Sequence, residues 1–355
     1  MSVLDYADDY ARDYHPYKGG AWCYEDGLLY IALVRLHKAT GESRWFDHLL
    51  RLTTAQIAAD GTLAGYTRDE FNIDNILAGR CLFCLSDQTG DPRYMIAADT
   101  LAGQLAHHPR TKTGNYWHKA IYPEQVWLDG LYMGLPFQIE YGQRRRDFTL
   151  VKDALQQFER ALALTRRPDG LYAHGYDDSR AMYWADPETG QNQALWGRSL
   201  GWLGMALVDA CALIDGTADA CIAQAASDLL TRLRPLARPD GLWLQVPDQP
   251  ELSGNYEETS ASAMFAYCYL RAMRLGLWGG DERVATKTLQ TLQETMMYMD
   301  EGRVRLGQIC LVAGLGGARS RRDGRASYYL SEEVGADDPK GVGPFLMAIA
   351  AQFET

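Results

Sequence analysis

The chain has 355 residues, 47% hydrophobic and 23% charged, the balance of a folded soluble globule, which excludes disordered and collagen-like architectures. Its formal net charge of −11, from 46 acidic against 35 basic residues, excludes a general nucleic-acid or anionic-membrane binder, because both need a basic face. The same balance allows a small anionic substrate held by a few local cations. The longest apolar runs, such as Ala261 to Leu270, fall short of the roughly 20 residues that span a membrane. Met1 to Asp5 shows no basic or apolar leader, so a cytoplasmic location is expected. Seven scattered cysteines, an odd number, fit reduced thiols. Cys81 and Cys84 form a C-x-x-C inside an apolar run with no second pair, which predicts two buried helical thiols and no metal.

In chain order, turn signals punctuate long apolar segments. Thr40-Gly-Glu-Ser-Arg-Trp45 recurs 49 residues later as Thr89-Gly-Asp-Pro-Arg-Tyr94, and Arg167-Pro-Asp-Gly-Leu171 recurs as Arg238-Pro-Asp-Gly-Leu242. Apolar segments at 24–40, 74–89, 125–141, 196–215, 257–276 and 341–353 are rich in Ala, Leu and Met and too long for strands. More amphipathic stretches lie between them, at 43–58, 92–106, 148–165, 218–236 and 281–297. This alternation describes six helical hairpins, and the expected fold is an all-α (α/α)6 barrel, a toroid with the apolar helices inside. With no Ser- or Pro-rich linker, residues 1–355 are expected to form one domain.

In such a toroid the starts of the inner helices meet at one mouth. Those starts are rich in aromatic, acidic and Arg residues: Trp22-Cys-Tyr-Glu-Asp26, Asn72-Ile-Asp-Asn75, Tyr122-Pro-Glu-Gln-Val-Trp-Leu-Asp129, Trp196-Gly-Arg-Ser-Leu-Gly-Trp202 and Gly254-Asn-Tyr-Glu-Glu-Thr-Ser260. Rings that stack on sugar faces beside carboxylates that bond hydroxyls are the equipment of a carbohydrate site. Pro123 and Glu124 mark a helix start, which puts Asp129 more than a turn inside, among Trp127, Leu128, Leu131 and Tyr132, where desolvation favours a protonated general acid. Asp74 stands where an N-cap would, and as a second carboxylate at the mouth it would repel Asp129. His118, Lys119 and His174 fall at the same mouth, and Arg198 is either an anchor for a substrate carboxylate or half of a buried ion pair. Gly197-Arg-Ser-Leu-Gly201 lacks the preceding strand of a nucleophile elbow, and Gly314-Leu-Gly-Gly-Ala-Arg319 lacks a phosphate-loop ending. The latter is expected to be a mobile loop with Arg319, Arg321, Arg322 and Arg325 in solvent.

The stretch from His107 to Met133, with Asn-Tyr-Trp-His-Lys119 and Val-Trp-Leu-Asp129, closely resembles unsaturated rhamnogalacturonyl hydrolases, glycoside hydrolase family 105. Asp74-Asn-Ile-Leu-Ala-Gly-Arg80, Trp196-Gly-Arg-Ser-Leu-Gly-Trp202, Gly254-Asn-Tyr-Glu-Glu-Thr-Ser260 and Asp338-Pro-Lys-Gly-Val-Gly-Pro-Phe345 resemble that family too, so the likeness covers nearly the whole chain. One departure is Ser199-Leu200, where the family pattern has Asn or a similar polar residue. The resemblance implies an (α/α)6 barrel that removes a 4,5-unsaturated galacturonic acid from the non-reducing end of pectin-lyase oligosaccharides, with no metal or organic cofactor. It implies Asp129 as proton donor and Asp74 as the neighbouring carboxylate holding the sugar. His174, Arg198 and Trp202 would line the uronate subsite, with Tyr24, Trp127, His118 and Lys119 around them. An unsaturated glucuronyl hydrolase is the second reading and a non-catalytic sugar-binding toroid the third. The sequence leaves oligomeric state and the next sugar open.

Overall fold

The chain opens with α1 (Val3–Asp13), whose Ser2 side chain accepts from the Asp5 amide at 3.1 Å while the Asp5 carboxylate accepts from the Ser2 amide. It then enters α2 (Tyr24–Thr40) and α3 (Ser43–Thr54). The computed structural model describes residues 2–214, 219–316 and 322–354. A 3₁₀ segment (Ile73–Gly79) leads into α4 (Arg80–Thr89), followed by α5 (Arg93–His107). Strand β1 (Gln125–Trp127) precedes α6 (Leu128–Arg145) and α7 (Phe148–Thr165), and β2 (Gly175–Asp177) precedes α8 (Gly197–Leu213) and α9 (Ala220–Leu233). After α10 (Thr259–Arg274) and α11 (Arg283–Thr291) come β3 (Met297–Asp300), β4 (Arg303–Leu306) and β5 (Ile309–Cys310). The short α12 (Ala326–Leu330), β6 (Val334–Gly335) and α13 (Pro339–Phe353) complete the described chain.

The repeated sequence motifs turn out to be repeated hydrogen-bond patterns. Gly41 and Gly90 end α2 and α4 at φ 71° and 69°, a left-handed conformation that glycine adopts without a Cβ penalty. Thr40 and Thr89 cap the same turns, their hydroxyls donating to Leu36 and Leu85 carbonyls and accepting from the Glu42 and Asp91 amides. In each Arg-Pro-Asp-Gly-Leu turn the Arg amide bonds the Leu carbonyl and the Asp carboxylate accepts from the Leu amide. The motifs are therefore hinges of hairpins.

Six helical elements close into a ring: the 3₁₀ segment with α4, then α2, α13, α10, α8 and α6, which returns to the 3₁₀ segment. This is the expected toroid. The ring helices are apolar nearly all round, and α8 is buried from Gly197 to Cys211. Their close approach is set by small residues: a Cβ on Gly27 would lie 2.6 Å from the Ala78 Cα, and one on Gly343 2.7 Å from the Leu28 Cβ. Helices α3, α5, α7, α9 and α11 pack outside, each against its hairpin partner. The sixth outer place belongs to α1, which packs on α3 and bonds Asp337, just before α13, through Tyr6 and Tyr10. The sequence reading had not placed that helix.

Two boundaries move in ways that matter for chemistry. Residues 74–89 are not one helix but a 3₁₀ turn followed by α4. Residues 125–127 are not helix either; β1 pairs antiparallel with β2, matching Gln125 to Asp177 and Trp127 to Gly175. Glu124, at φ 60°, turns the chain into that strand, so the helix begins at Leu128. Cys81 and Cys84 lie buried on α4 as expected. Asp215, Ala218, Arg319 and Arg321 fall in or at the edges of sequence-predicted features and lie outside the described residues. No helix among the described residues is long and apolar enough to cross a membrane.

Candidate active site

Asp74 is set by the turn before it. Asn72, not Asp74, caps the 3₁₀ segment, its Oδ1 accepting from the Asp74 amide at 3.1 Å, which corrects the capping expectation. The Asp74 side chain is thereby free to turn to the mouth. A backbone bridge between Asn72 and Lys119, and a bond from the Ile73 amide to the His118 carbonyl, bring the next loop across it. Lys119 Nζ stands 2.6 Å from Asp74 Oδ2, and His118 Nε2 3.6 Å from Oδ1. Burial opposes the Asp74 charge, but Lys119 and His118 outweigh it and hold the carboxyl below the usual range. The expected repulsion between the two carboxylates is thus not what governs Asp74. Burial also pushes the His118 imidazole down to about 4, against the pull of Asp74.

Asp129 is positioned by the small sheet. The Leu128 amide donates to the His174 carbonyl at 2.9 Å, continuing the β1–β2 pairing and laying His174 beside the start of α6. Asp129 therefore sits in the first turn of α6, not more than a turn inside, where the helix dipole favours a carboxylate. His174 Nε2 lies 3.0 Å from Asp129 Oδ2, within ion-pair distance but not aligned as a hydrogen bond. On its other side His174 Nδ1 meets the Tyr329 hydroxyl at 2.8 Å. That hydroxyl also accepts from Asn192 Nδ2 at 3.4 Å, which holds it against the imidazole. His174 is fully buried and lies behind Asp129; it does not line the cavity, contrary to the subsite role expected of it.

Around these carboxylates is a cavity of about 150 Å³. It is lined by eight of the nine sequence-predicted site residues: Tyr24, Asp74, His118, Lys119, Trp127, Asp129, Arg198 and Trp202. One wall is an aromatic cluster, with the His118 ring 4.1 Å and the Tyr122 ring 4.9 Å from Trp127 and 6.3 Å from each other. Trp202 on α8 stacks on Tyr132 of the neighbouring α6, at 5.3 Å. Arg198 is 1% exposed; its Nε donates to Ser260 Oγ at 2.7 Å, and Nη2 meets Glu258 at 3.3 Å and the Cys310 carbonyl. Arg198 is thus half of a buried ion pair and also borders the cavity. Ser199 donates to the Trp196 carbonyl at 2.8 Å and is buried, so it is committed to the backbone.

Lys18, Arg322 and Lys340 line the cavity without having been expected at the mouth, and Glu25 and Trp196 line it from helix starts that were expected there. Arg322 is a correction, since it was expected in solvent; Arg325 is the exposed one. Lys340 was legible only as part of a quoted motif, and it is 3% exposed beside Asp338 at 2.9 Å. The cavity is lined by five cationic side chains against three carboxylates, in a chain of net charge −11. Buried atoms without a hydrogen-bond partner gather here: Asp74 Oδ1, His118 Nδ1, Asp129 Oδ2 and His174 Nε2. A larger cavity of about 590 Å³ lies between α1 and the β3–β4 hairpin, but Arg12, Arg303 and Arg305 there are each tied to an aspartate, and it holds none of the expected site residues. Among the described residues no group of three or more His, Cys, Asp or Glu is arranged to hold a metal ion.

Comparison with known proteins adds an independent line. The description of Glycosyl Hydrolase Family 88 matches residues 5–354. Protein Atu3128 of Agrobacterium fabrum is 51% identical over 226 residues, 61% of this chain and 97% of the relative. Unsaturated rhamnogalacturonyl hydrolase YesR of Bacillus subtilis is 26% identical over 264 residues, 72% of each chain. The solved structure of a Clostridium (C. acetobutylicum) glycoside hydrolase from family 105 superposes with a TM-score of 0.92 at 33% identity, covering 99% of both chains. An unsaturated glucuronyl hydrolase from Bacillus sp. GL1 shares the fold, with a TM-score of 0.72 at 15% identity over 98% of this chain and 94% of that one.

Proposed function

The chain belongs to glycosyl hydrolase family 88 and is a glycoside hydrolase, and from that premise we propose that it removes a 4,5-unsaturated galacturonic acid from the non-reducing end of rhamnogalacturonan-derived oligosaccharides. Membership sets aside a non-catalytic sugar-binding role. The observation that carries the reading is the unequal state of the two carboxyls. Asp74 is locked as a carboxylate by Lys119 at 2.6 Å, so it is unsuited to giving up a proton. Asp129 stands 3.0 Å from His174 and keeps one buried oxygen without a hydrogen bond among the described residues. Only one of the pair is equipped for proton transfer, which fits chemistry that needs one acid–base group rather than an acid and a nucleophile.

Hydration of an enol ether is such chemistry. The substrate carries a C4=C5 double bond next to the ring oxygen and a carboxylate. Asp129 gives its proton to C4, and positive charge develops at C5 and the ring oxygen. Water then adds at C5 while the Asp129 carboxylate takes its proton, restoring the acid. The hemiketal at C5 opens to a ketone, and the hemiacetal left at C1 collapses to an aldehyde, releasing the remaining sugar as an alcohol. Cations lining the cavity answer the uronate charge, and Trp127 and Trp202 offer faces for the ring. Asp74 accepts from sugar hydroxyls through the oxygen Lys119 leaves free.

The galacturonyl choice is supported by the sequence motifs and by likeness to a rhamnogalacturonyl hydrolase at 26% identity. Loss of the C4=C5 absorbance is measured on oligosaccharides from rhamnogalacturonan lyase and, in parallel, from a glycosaminoglycan lyase. Faster turnover of the former is expected. In D₂O, deuterium is expected at C4 of the released keto-uronate, and saturated digalacturonate is expected to be inert. Turnover of the saturated sugar at a comparable rate overturns the hydration reading, and preference for the glycosaminoglycan product overturns the galacturonyl one.

A further inference from the structure

At the opposite end of the toroid, where the inner helices finish, a second polar cavity of about 230 Å³ opens. It is lined by Arg35, Lys38, Arg80 and Arg271, against the carboxylates Asp209 and Glu140. The three arginine side chains are only 14%, 9% and 15% exposed. Guanidinium groups do not shed their charge in proteins, so burial cannot be relieved by deprotonation. Asp209 takes Arg35 on one oxygen and Arg80 on the other, each at 2.7 Å. Arg271 pairs with Glu354, which also stands 3.5 Å from Arg35, while Glu140 is drawn away to Arg144 at 3.2 Å. The carboxylates do not use up the donors. Arg35 Nε, Arg80 Nη1 and Arg271 Nε are buried with no hydrogen-bond partner among the described residues. A buried charged donor left unmade is costly, and all three belong to arginines that line this one cavity, where Arg35 and Arg80 also lie over the Tyr267 and Tyr132 rings at 4.9 and 5.3 Å.

We propose that this cavity binds a small inorganic oxyanion of the phosphate or sulfate type, which joins the free arginine N–H groups and ties α2, α4 and α10 together at the base of the ring. Such an anion has several acceptor oxygens directed apart, as donors contributed from three different helices require. Chloride offers no such spread of acceptors. The site is separate from the carbohydrate cavity, and the proposal does not depend on the substrate assigned there.

The test is thermal unfolding of the full chain titrated with sodium phosphate, then sodium sulfate, at ionic strength held constant with sodium chloride. A saturating rise in Tm is expected, about 2 °C at ten times Kd for a chain of this size. Two variants assign the rise to this cavity. Arg80→Met removes a buried donor and is expected to abolish it. Lys38→Ala changes an exposed residue that makes none of these ion pairs, and is expected to weaken phosphate several-fold with the unliganded Tm unmoved. If Arg80→Met does not fold, Lys38→Ala decides alone. Absence of a saturating rise over chloride overturns the proposal, as does a full rise retained in the variants that fold.

Discussion

At the mouth of the ring Asp129 faces one imidazole, and one of its oxygens is left without a hydrogen bond. At the base Asp209, equally an aspartate on an inner helix, holds two arginines at 2.7 Å and accepts from the Tyr267 hydroxyl as well. Burial works against the Asp209 charge, but the arginines hold it far below the usual carboxylate range. The difference lies in what each end leaves unmade. The mouth keeps acceptor atoms open beside movable protons; the base keeps donor atoms open beside fixed charges. An open acceptor with a proton source suits turnover, whereas a fixed cation cluster suits holding an anion still.

Substitution of each aspartate breaks the comparison in a different observable. Asp129→Asn is expected to lower kcat by about 10²–10⁴-fold, the usual worth of a general acid, with the thermal transition nearly unchanged. A variant keeping more than about a tenth of the wild-type rate removes Asp129 from proton transfer. Asp209→Asn is expected to do the reverse. It strips the charge shared by Arg35 and Arg80 and should cost about 3–5 kcal/mol of stability by denaturant unfolding, because two buried guanidinium groups lose their partner. The rate per folded molecule at saturating substrate should stay near wild type. A loss of rate matching that of Asp129→Asn would mean the two ends are coupled.

A finer comparison lies within the mouth itself. Arg198 is bound into Ser260, Glu258 and Cys310, whereas Arg322 is half-buried at the cavity edge. Arg322→Ala is expected to raise KM by about three- to tenfold, the worth of an ordinary hydrogen bond, with a smaller loss of Tm than in Arg198→Ala, because Arg322 is half-buried where Arg198 is fully buried. Arg198→Ala is expected to raise KM and also lower Tm, because Glu258 is left buried without its cation. Equal loss of stability in both would sink the distinction.

Much of this was legible beforehand, for physical reasons. Periodic Ala, Leu and Met segments between Gly turns carry the toroid, since an inner helix must be apolar all round and a hairpin needs a left-handed glycine. The starts of those helices carry the site, because hairpin topology gathers them whatever the loop detail. The register at Asp129 was not legible: Gln125 to Trp127 is too short for alternation to declare a strand, and its partner lies some 50 residues on. Nor was α1 placed, since its mixed surface of tyrosines and aspartates finds its partners far along the chain, Asp8 in His48 and Tyr6 and Tyr10 in Asp337, more than 320 residues away. The role of His174 needed the side chain of Tyr329, and Arg322 follows a Gly-rich stretch whose sequence carries no helical pattern to place it.

The smallest expected effect concerns protons rather than residues lost. Burial pushes both His118, at the mouth, and His108, packed beneath it against Phe71 and Tyr116, down to about 4. An unfolded histidine titrates near 6.5, so between roughly pH 6.5 and 4 the unfolded chain binds protons that the folded chain refuses. Stability therefore falls as pH falls through that window, by about 1.4 kcal/mol per pH unit for each imidazole. Asp74 does not add to the loss there, because its carboxyl is held below the ordinary range and its contribution disappears only at still lower pH. His118→Gln is expected to remove one imidazole's share of the slope, measured by urea unfolding at pH 6.5, 5.5 and 4.5, and His108→Gln the other. The two should differ in activity, since only His118 stacks on Trp127 and lines the cavity. An unchanged slope in His118→Gln would mean that its imidazole is charged in the folded protein, and the mouth would then carry one more cation than its geometry suggests.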